Sequence, residues 1–274
     1  MSRIAVTMPF IDTPSQAEKG AAFRALHEGE PFVIPNPWDA GSARVLEALG
    51  FKAVASTSSG FTFTQGRLDG DVTLDQVVHH AEELDRAIGL PVSIDLEHGY
   101  GREPDRVVLA IERVAAAGAV GASIEDNDPS QGIYELAHAA DRIAAAAETA
   151  HGLDFPFTLT ARAENHIRGN PDLDDTIARL QAFETAGADV LFAPGLRTGD
   201  EIRRVCEAVS KPVNVLALRG MSMDEIIDAG ARRVSVGGGL TWIAVNAMAD
   251  AARSILAGDL SVLEASPPLK DWFG

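Results

Sequence analysis

The chain has 274 residues, with 23 Lys and Arg against 40 Asp and Glu, for a net charge of −17. That balance, without any basic run, excludes a nucleic-acid partner, since phosphates are neutralised by clustered cations, and an anionic ligand must be met by a metal, a particular Arg or helix N-termini. No apolar run reaches the roughly 20 residues of a membrane span, the N-terminal stretch lacks a secretory pattern, and the lone Cys206 excludes a disulfide framework or cysteine-based zinc cluster. A soluble, cytoplasmic chain without membrane contact is expected.

An amphipathic helix is predicted from Thr13 to Gly29, and from Pro31 onward one unit recurs: a short apolar run, a polar loop, then a helical pattern. PFVIPNP leads into a helix over Asp39 to Leu49. KAVAST is followed by a long loop and a helix over Leu74 to Ile88. PVSIDLE precedes Pro104 to Ala117, and GASIED precedes a helix from about Tyr134 to Ala150. FTLTARA leads to Leu173 to Ala186, DVLFAP to Asp200 to Val209, PVNVLA to Ser222 to Ala229, and RRVSVGG to Leu240 to Leu256. Glycine closes helix after helix. Eight such units, with strands apolar on both faces, predict a closed (β/α)8 TIM barrel of parallel strands, one domain over residues 1–274. IPNPWDAGSAR after the first strand is no G-x-G-x-x-G, which sets aside an open dinucleotide-binding sheet.

In such a barrel the active site lies at the C-terminal ends of the strands. Collected there are Asn36 and Asp39, the run Ser56 to Gly60, Asp95 and Glu97, Glu125 and Asp126, Arg162, Glu164, Asn165 and His166, then Asn214 and Gly237 to Gly239. In PVSIDLEHGYG the two-residue period of a strand puts Asp95 and Glu97 on one face. Oxygen donors from neighbouring strands describe a hard cation, Mg²⁺ or alternatively Mn²⁺. Arg162 can clamp a carboxylate or pair with Glu125 or Glu164. His98 and His166, alone among the histidines in mouth positions, are candidate acids or bases. None of Lys19, Lys52, Lys211 and Lys270 lies at a strand's C-terminal end, which excludes Schiff-base chemistry.

The motifs NPWDAGSAR, GFKAVASTSSGF, SIDLEHGYG, ASIED, LTARAEN and GADVLFAPG, spanning about Pro35 to Leu256, together resemble the isocitrate lyase/phosphoenolpyruvate mutase superfamily. The resemblance implies a (β/α)8 barrel whose last helix is exchanged between subunits of a dimer or tetramer. It also implies 2-oxo acid substrates held on Mg²⁺. By motif position it implies metal ligation by Asp95, Glu97 and Glu125, a catalytic loop acid at Asp69, and a catalytic, substrate-binding arginine at Arg162. Thr57, Ser58 and Ser59 fall on the turn that receives the substrate carboxylate, and Asn214 joins them as a substrate contact. Two departures narrow the activity. IEDNDPSQGIYELAHA lacks the K-K-C-G-H segment of isocitrate and methylisocitrate lyases, and Asn127 stands where phosphonopyruvate-handling members carry lysine.

The expectation is therefore a Mg²⁺-dependent lyase acting on an oxaloacetate-like 2-oxo acid through an enolate. The alternatives are P–C bond chemistry on phosphonopyruvate or carboxyphosphonoenolpyruvate, and a barrel that binds a 2-oxo acid without turnover. The last helical pattern, apolar over more than one stripe, and the tail with Trp272 and Phe273 predict a homodimer or homotetramer with Ser261 to Gly274 near the subunit contact.

Overall fold

The computed structural model describes residues 14–264 and 269–273. The expectations for the stretch up to Thr13 and for Pro267 and Pro268 lie outside the described residues. Helix α1 (Gln16–Glu28) starts at Ser15, whose hydroxyl accepts from Glu18 N while the Glu18 carboxylate accepts from Ser15 N. This reciprocal cap is repeated at Thr73 and Thr198, and it sets helix starts where the sequence places Ser or Thr three residues before Glu or Gln.

The repeating units follow in order: β1 (Phe32–Ile34) and α2 (Ala40–Ala48); β2 (Val54–Ala55), α3 (Ser58–Thr64) and α4 (Leu74–Ala87); β3 (Val92–Asp95) and α5 (Pro104–Ala116). Next come β4 (Gly121–Glu125), a hairpin of β5 (Asn127–Asp128) and β6 (Gly132–Ile133), and α6 (Leu136–His151); then β7 (Thr158–Arg162) and α7 (Leu173–Thr185). The last are β8 (Val190–Phe192) with α8 (Gly199–Ala208), β9 (Val213–Leu216) with α9 (Met223–Asp228), and β10 (Arg233–Ser235) with α10 (Gly239–Leu256). Eight strands pair in parallel in the order β1-β10-β9-β8-β7-β4-β3-β2. The two ends of that sheet meet: Ala55 N donates to Pro35 O at 3.0 Å. Asn36 spans the seam, donating to Ala55 O and Ser56 O and accepting from Val236 N and Gly237 N. The result is a (β/α)8 barrel. No described helix is long and apolar enough to cross a membrane.

Helix α3 occupies part of the expected long loop. Its sequence, SSGFTFT, offers no amphipathic period. What holds it is a tertiary contact, Phe61 stacked on His80 at 4.1 Å, together with a local one, the Thr62 hydroxyl donating to Ser58 O at 2.9 Å within the helix. The β5–β6 hairpin is likewise local chemistry, with Asp128 Oδ1 accepting from Ser130 N, Ser130 Oγ and Gln131 N.

Helix α1 closes the barrel's N-terminal end. Phe23 is fully buried there, Lys19 Nζ reaches Asp85 at 2.8 Å, and Gln16 Nε2 donates to Ala115 O and Ala119 O. Gly20 passes so close to Pro156 that a Cβ would stand 2.2 Å from its carbonyl oxygen, which only glycine permits. At the other end of the chain, α10 buries only Thr241 and leaves Trp242, Ile243, Met248 and Leu256 exposed. The tail continues through a 3₁₀ turn (Ser261–Glu264) to α11 (Leu269–Phe273), where the Phe273 ring lies under the Arg44 guanidinium of α2 at 5.0 Å.

Asp126, expected at the mouth, is instead a bracket beneath it. Its carboxylate accepts from Glu164 N at 2.7 Å and from Arg179 Nη1 of α7 at 3.0 Å, tying β4 to β7 and its helix. Burial pushes this carboxyl up to about 6, against the bonds from Glu164 and Arg179. Breaking one side of a buried pair destabilises by about 3–5 kcal/mol, so Arg179→Met should lower the urea unfolding free energy by that amount. A loss under about 1 kcal/mol would mean the pair is incidental.

His80 generates a pH prediction. Buried on Phe61, its imidazole is pushed down to about 4 by desolvation. The folded value lies below the unfolded value of about 6.5, so its contribution is intact above pH ~6.5 and is lost as the pH falls toward ~4. In His80→Phe the decline of unfolding free energy across that window should flatten by up to about 1.4 kcal/mol per pH unit. Parallel curves for wild type and variant would refute it.

Candidate active site

The C-terminal ends of the strands surround a cavity of about 250 Å³. Its wall includes Asn36, Thr57, Ser58, Ser59, Asp69, Asp95, Arg162 and Asn214 from the expected set, together with Ser93, Ser123, Arg233 and Ser235. No Lys, Cys or His is among the lining residues. The absence of lysine from the wall agrees with the exclusion of a Schiff base.

Asp95 ends β3 and is oriented from three sides. Its N–H donates to Ser56 Oγ at 2.8 Å, Ser123 Oγ donates to Oδ1 at 3.2 Å, and Ser58 N approaches Oδ2 at 3.4 Å. The Ser58 hydroxyl also reaches Asp69, on the loop before α4. The start of α3 thus joins two carboxylates and presents Thr57, Ser58 and Ser59 to the cavity.

Arg162, at the end of β7, carries the positive charge of the mouth. Its Nε donates to Glu164, its Nη2 stands 3.7 Å from Glu125, its Nη1 stands 4.0 Å from Asp95, and its guanidinium lies over the Phe192 ring at 5.3 Å. Burial works against this charge, but the Glu164, Glu125 and Asp95 carboxylates outweigh it and hold the pKa above the ordinary arginine value. Arg168, which sequence reasoning missed, adds contacts to Glu164 at 2.9 Å and Glu125 at 3.6 Å. Its place in the loop AENHIRG, four residues after Glu164, was the available signal.

Two of the three expected metal ligands do not face the cavity. The strand ends at Asp95, and Glu97 lies beyond it in a left-handed turn, φ 48°, with Gly99 and Tyr100 also at positive φ. The strand period therefore stops before Glu97. Its carboxylate accepts from Tyr100 Oη at 3.0 Å, and burial next to Asp95 pushes it up to about 7. Glu125 sits behind Arg162 and Arg168, and burial holds its carboxyl above its ordinary range. Among the described residues no three of His, Cys, Asp and Glu stand together as a metal-binding group.

The donor chemistry nonetheless fits a hard cation. Asp69 and Asp95 raise Glu97, and Asp95 raises Glu125, so the mouth holds crowded carboxylates whose repulsion a divalent ion would relieve. Asp95 would hold the ion, with Asp69, Glu97 and Glu125 supplying the surrounding negative charge.

His98 and His166 lie away from the cavity wall. The His98 carbonyl accepts from Arg142, its ring tilts against Tyr100 at 5.5 Å, and burial draws its pKa down. His166 stands within electrostatic reach of Glu201 in the first turn of α8. Asn214 lines the cavity, but both ends of its amide are engaged: Nδ2 donates to Ser235 Oγ at 3.0 Å and Oδ1 accepts from Arg233 Nε at 2.8 Å.

The phosphoenolpyruvate phosphomutase family model matches residues 23–256. An oxaloacetate decarboxylase of Bradyrhizobium is 31% identical over 223 residues, covering 78% of this chain and 75% of that protein. An uncharacterized protein of Mycobacterium tuberculosis is 32% identical over 235 residues, covering 85% of this chain and 88% of its own length. The crystal structure of a candidate lyase/mutase from Burkholderia cenocepacia superposes with a TM-score of 0.90 at 48% identity, covering 94% of this chain and 95% of that one. With the family model spanning most of the barrel and these relatives matching along it, the chain belongs to the isocitrate lyase/phosphoenolpyruvate mutase superfamily.

Proposed function

We propose that this chain is a divalent-metal-dependent lyase, with Mg²⁺ as the metal, that breaks a C–C bond at C3 of a small 2-oxo acid of the oxaloacetate type. The observation that carries the reading is the cavity itself: Asp95 and Asp69 face Arg162 and the hydroxyls of Thr57, Ser58 and Ser59, with no lysine, cysteine or histidine on the wall. Such a site can bind an anion and stabilise developing charge, but it offers no side-chain nucleophile for a Schiff base or thiolate route. The Bradyrhizobium relative, an oxaloacetate decarboxylase, is an enzyme of the same kind. When bound, Mg²⁺ supplies Lewis acidity toward the 2-oxo and carboxylate oxygens.

The protein's own part is positional. Hydroxyls and N–H groups at the start of α3 receive the carboxylate next to the oxo group. As the bond at C3 breaks, its electron pair enters the C2–C3 unit as an enolate, and Arg162, fixed by Glu164 and Glu125, faces the new charge. Asp69 is assigned the return of a proton to C3. P–C chemistry on phosphonopyruvate has less support, because Asn127 opens the β5–β6 hairpin where the lysine of that branch is expected. In a Mg²⁺-supplemented assay, Asp95→Ala should lower turnover of 2-oxo acids roughly 10²–10³-fold while the far-ultraviolet circular dichroism stays that of wild type. Unchanged turnover of every 2-oxo acid that the wild type processes would end the reading.

The same reading includes a single barrel domain and a homo-oligomer. Its support is the apolar surface of α10, where Ile243, Met248 and Leu256 are exposed, and Trp242, edge-on against Phe63, is exposed in part. A second copy of the chain, as dimer or tetramer, is the assigned partner. Light scattering should give at least twice the chain mass, and a well-folded monomer at micromolar concentration would remove the assignment.

A further inference from the structure

The barrel interior holds a second arginine that the proposed reaction leaves unused. Arg233 opens β10, and one register row links it to the mouth: Arg162 pairs with Phe192, Phe192 with Asn214, and Asn214 with Arg233. The two guanidinium groups therefore come from strands three apart, and both line the same cavity.

Their surroundings differ in kind. Arg162 has carboxylates on Glu164, Glu125 and Asp95. Arg233 has no carboxylate partner among the described residues; its partners are Asn214 Oδ1 for Nε at 2.8 Å, Thr160 Oγ1 for Nη2 at 3.0 Å and His27 Nε2 for Nη1 at 3.1 Å. His27 does not balance the charge. Its Nδ1 donates to Phe23 O at 2.8 Å, so Nε2 is the acceptor of a neutral ring, and burial beside Arg233 keeps the ring uncharged. A guanidinium has five N–H donors. Three are engaged, which leaves two without a protein acceptor on a residue only 5% exposed.

A buried cation with spare donors is strongly unfavourable unless an anion completes it. The groups that contact Arg233, Asn214, Thr160 and His27, are neutral, as is Ser235 bonded to Asn214, so no carboxylate among its partners repels an incoming one. We propose that Arg233 binds a second, distal carboxylate of the substrate and makes the site selective for 2-oxo dicarboxylates over 2-oxo monocarboxylates. This rests on the 2-oxo acid reading above and narrows it. A cation that grips a carboxylate stabilises its charged ground state and opposes its departure as neutral CO₂. The carboxylate on Arg233 is therefore one that stays with its fragment, which narrows the substrate to a diacid longer than oxaloacetate, with the bond that breaks lying between C3 and the carbon chain that carries the distal carboxylate.

Calorimetry on the full-length, Mg²⁺-loaded protein tests this with two pairs of acids: malate against 2-hydroxybutyrate, and 2-oxoglutarate against 2-oxovalerate. In each pair a methyl group replaces the distal carboxylate. At least one diacid should bind wild type tenfold or more tighter than its monoacid. Arg233→Met should bring that ratio within twofold while leaving the monoacid's dissociation constant within twofold of wild type. Should that variant not fold, Arg233→Lys, which loses the planar fork, should still reduce the preference at least threefold. A wild type without preference for either diacid, a variant that keeps the preference, or an equal loss of both acids would overturn the proposal. Failure of the underlying reading looks different: no Mg²⁺-dependent turnover of any 2-oxo acid, with the diacid preference and its dependence on Arg233 intact.

Discussion

The ion pair between Arg162 and Glu164 sets the charge balance on which the barrel mouth depends. Glu164 is fully buried and accepts from both Arg162 and Arg168, and Glu125, nearly as buried, stands 3.7 and 3.6 Å from them. In a medium of low effective dielectric, unpaired carboxylates at these separations would take up protons instead of remaining charged. Two arginines hold Glu164 and Glu125 in place, yet burial still raises Glu125, and at Glu97 burial and Asp95 outweigh Arg162 and drive the carboxyl up to about 7. The cavity is thus acidic on the side of Asp95 and Asp69. On the side of Arg233 it is basic and lacks a counterion. The proposed metal and substrate carboxylate would complement these two sides, whose opposite charges follow from what a closed barrel makes its inward side chains share.

Closure depends on a neutral amide. Asn36 uses both donors and its acceptor across the seam between β1, β2 and β10, and Pro35 and Ala55 complete the ladder there. A carboxylate at this position could not donate to Ala55 O and Ser56 O, so the seam selects asparagine on hydrogen-bonding grounds alone. Asn36 also lines the cavity, and the shape of the site and the integrity of the sheet therefore rest on one side chain.

Much of the fold was legible in the sequence because each level agreed with the next. Helix-ending glycines and apolar strand runs marked the same boundaries, and the helices fall within a few residues of their expected limits. The site was legible only in part. Asp95, Arg162 and the Thr57–Ser59 turn, gathered by their position at strand ends, line one cavity, but that criterion carries no information once the chain leaves the strand. Glu97 turned away because three residues of the following turn adopt positive φ, and only Gly99 announces that. His98 and His166 follow their loops to Tyr100 and Glu201 for the same reason. Arg233 was hidden differently: RRVSVGG gives two arginines at the strand's start, and only the register decides which one points inward.

That register also connects the chemistry to the N-terminal helix. His27 is held by Phe23 and receives Arg233, so α1 both closes the barrel and fixes the rotamer of a charge inside it. The imidazole must stay neutral to do so, and burial beside the guanidinium pushes it down to about 3. A protonated His27 would place two cations in hydrogen-bonding contact, and any relief would have to come from moving α1 or withdrawing Arg233 from its row. The helix lies outside the eight repeating units, yet it touches a buried cation whose partners are all neutral. The residues that pin it, Gln16, Lys19 and Gly20, are thereby part of what keeps the floor of the cavity positive.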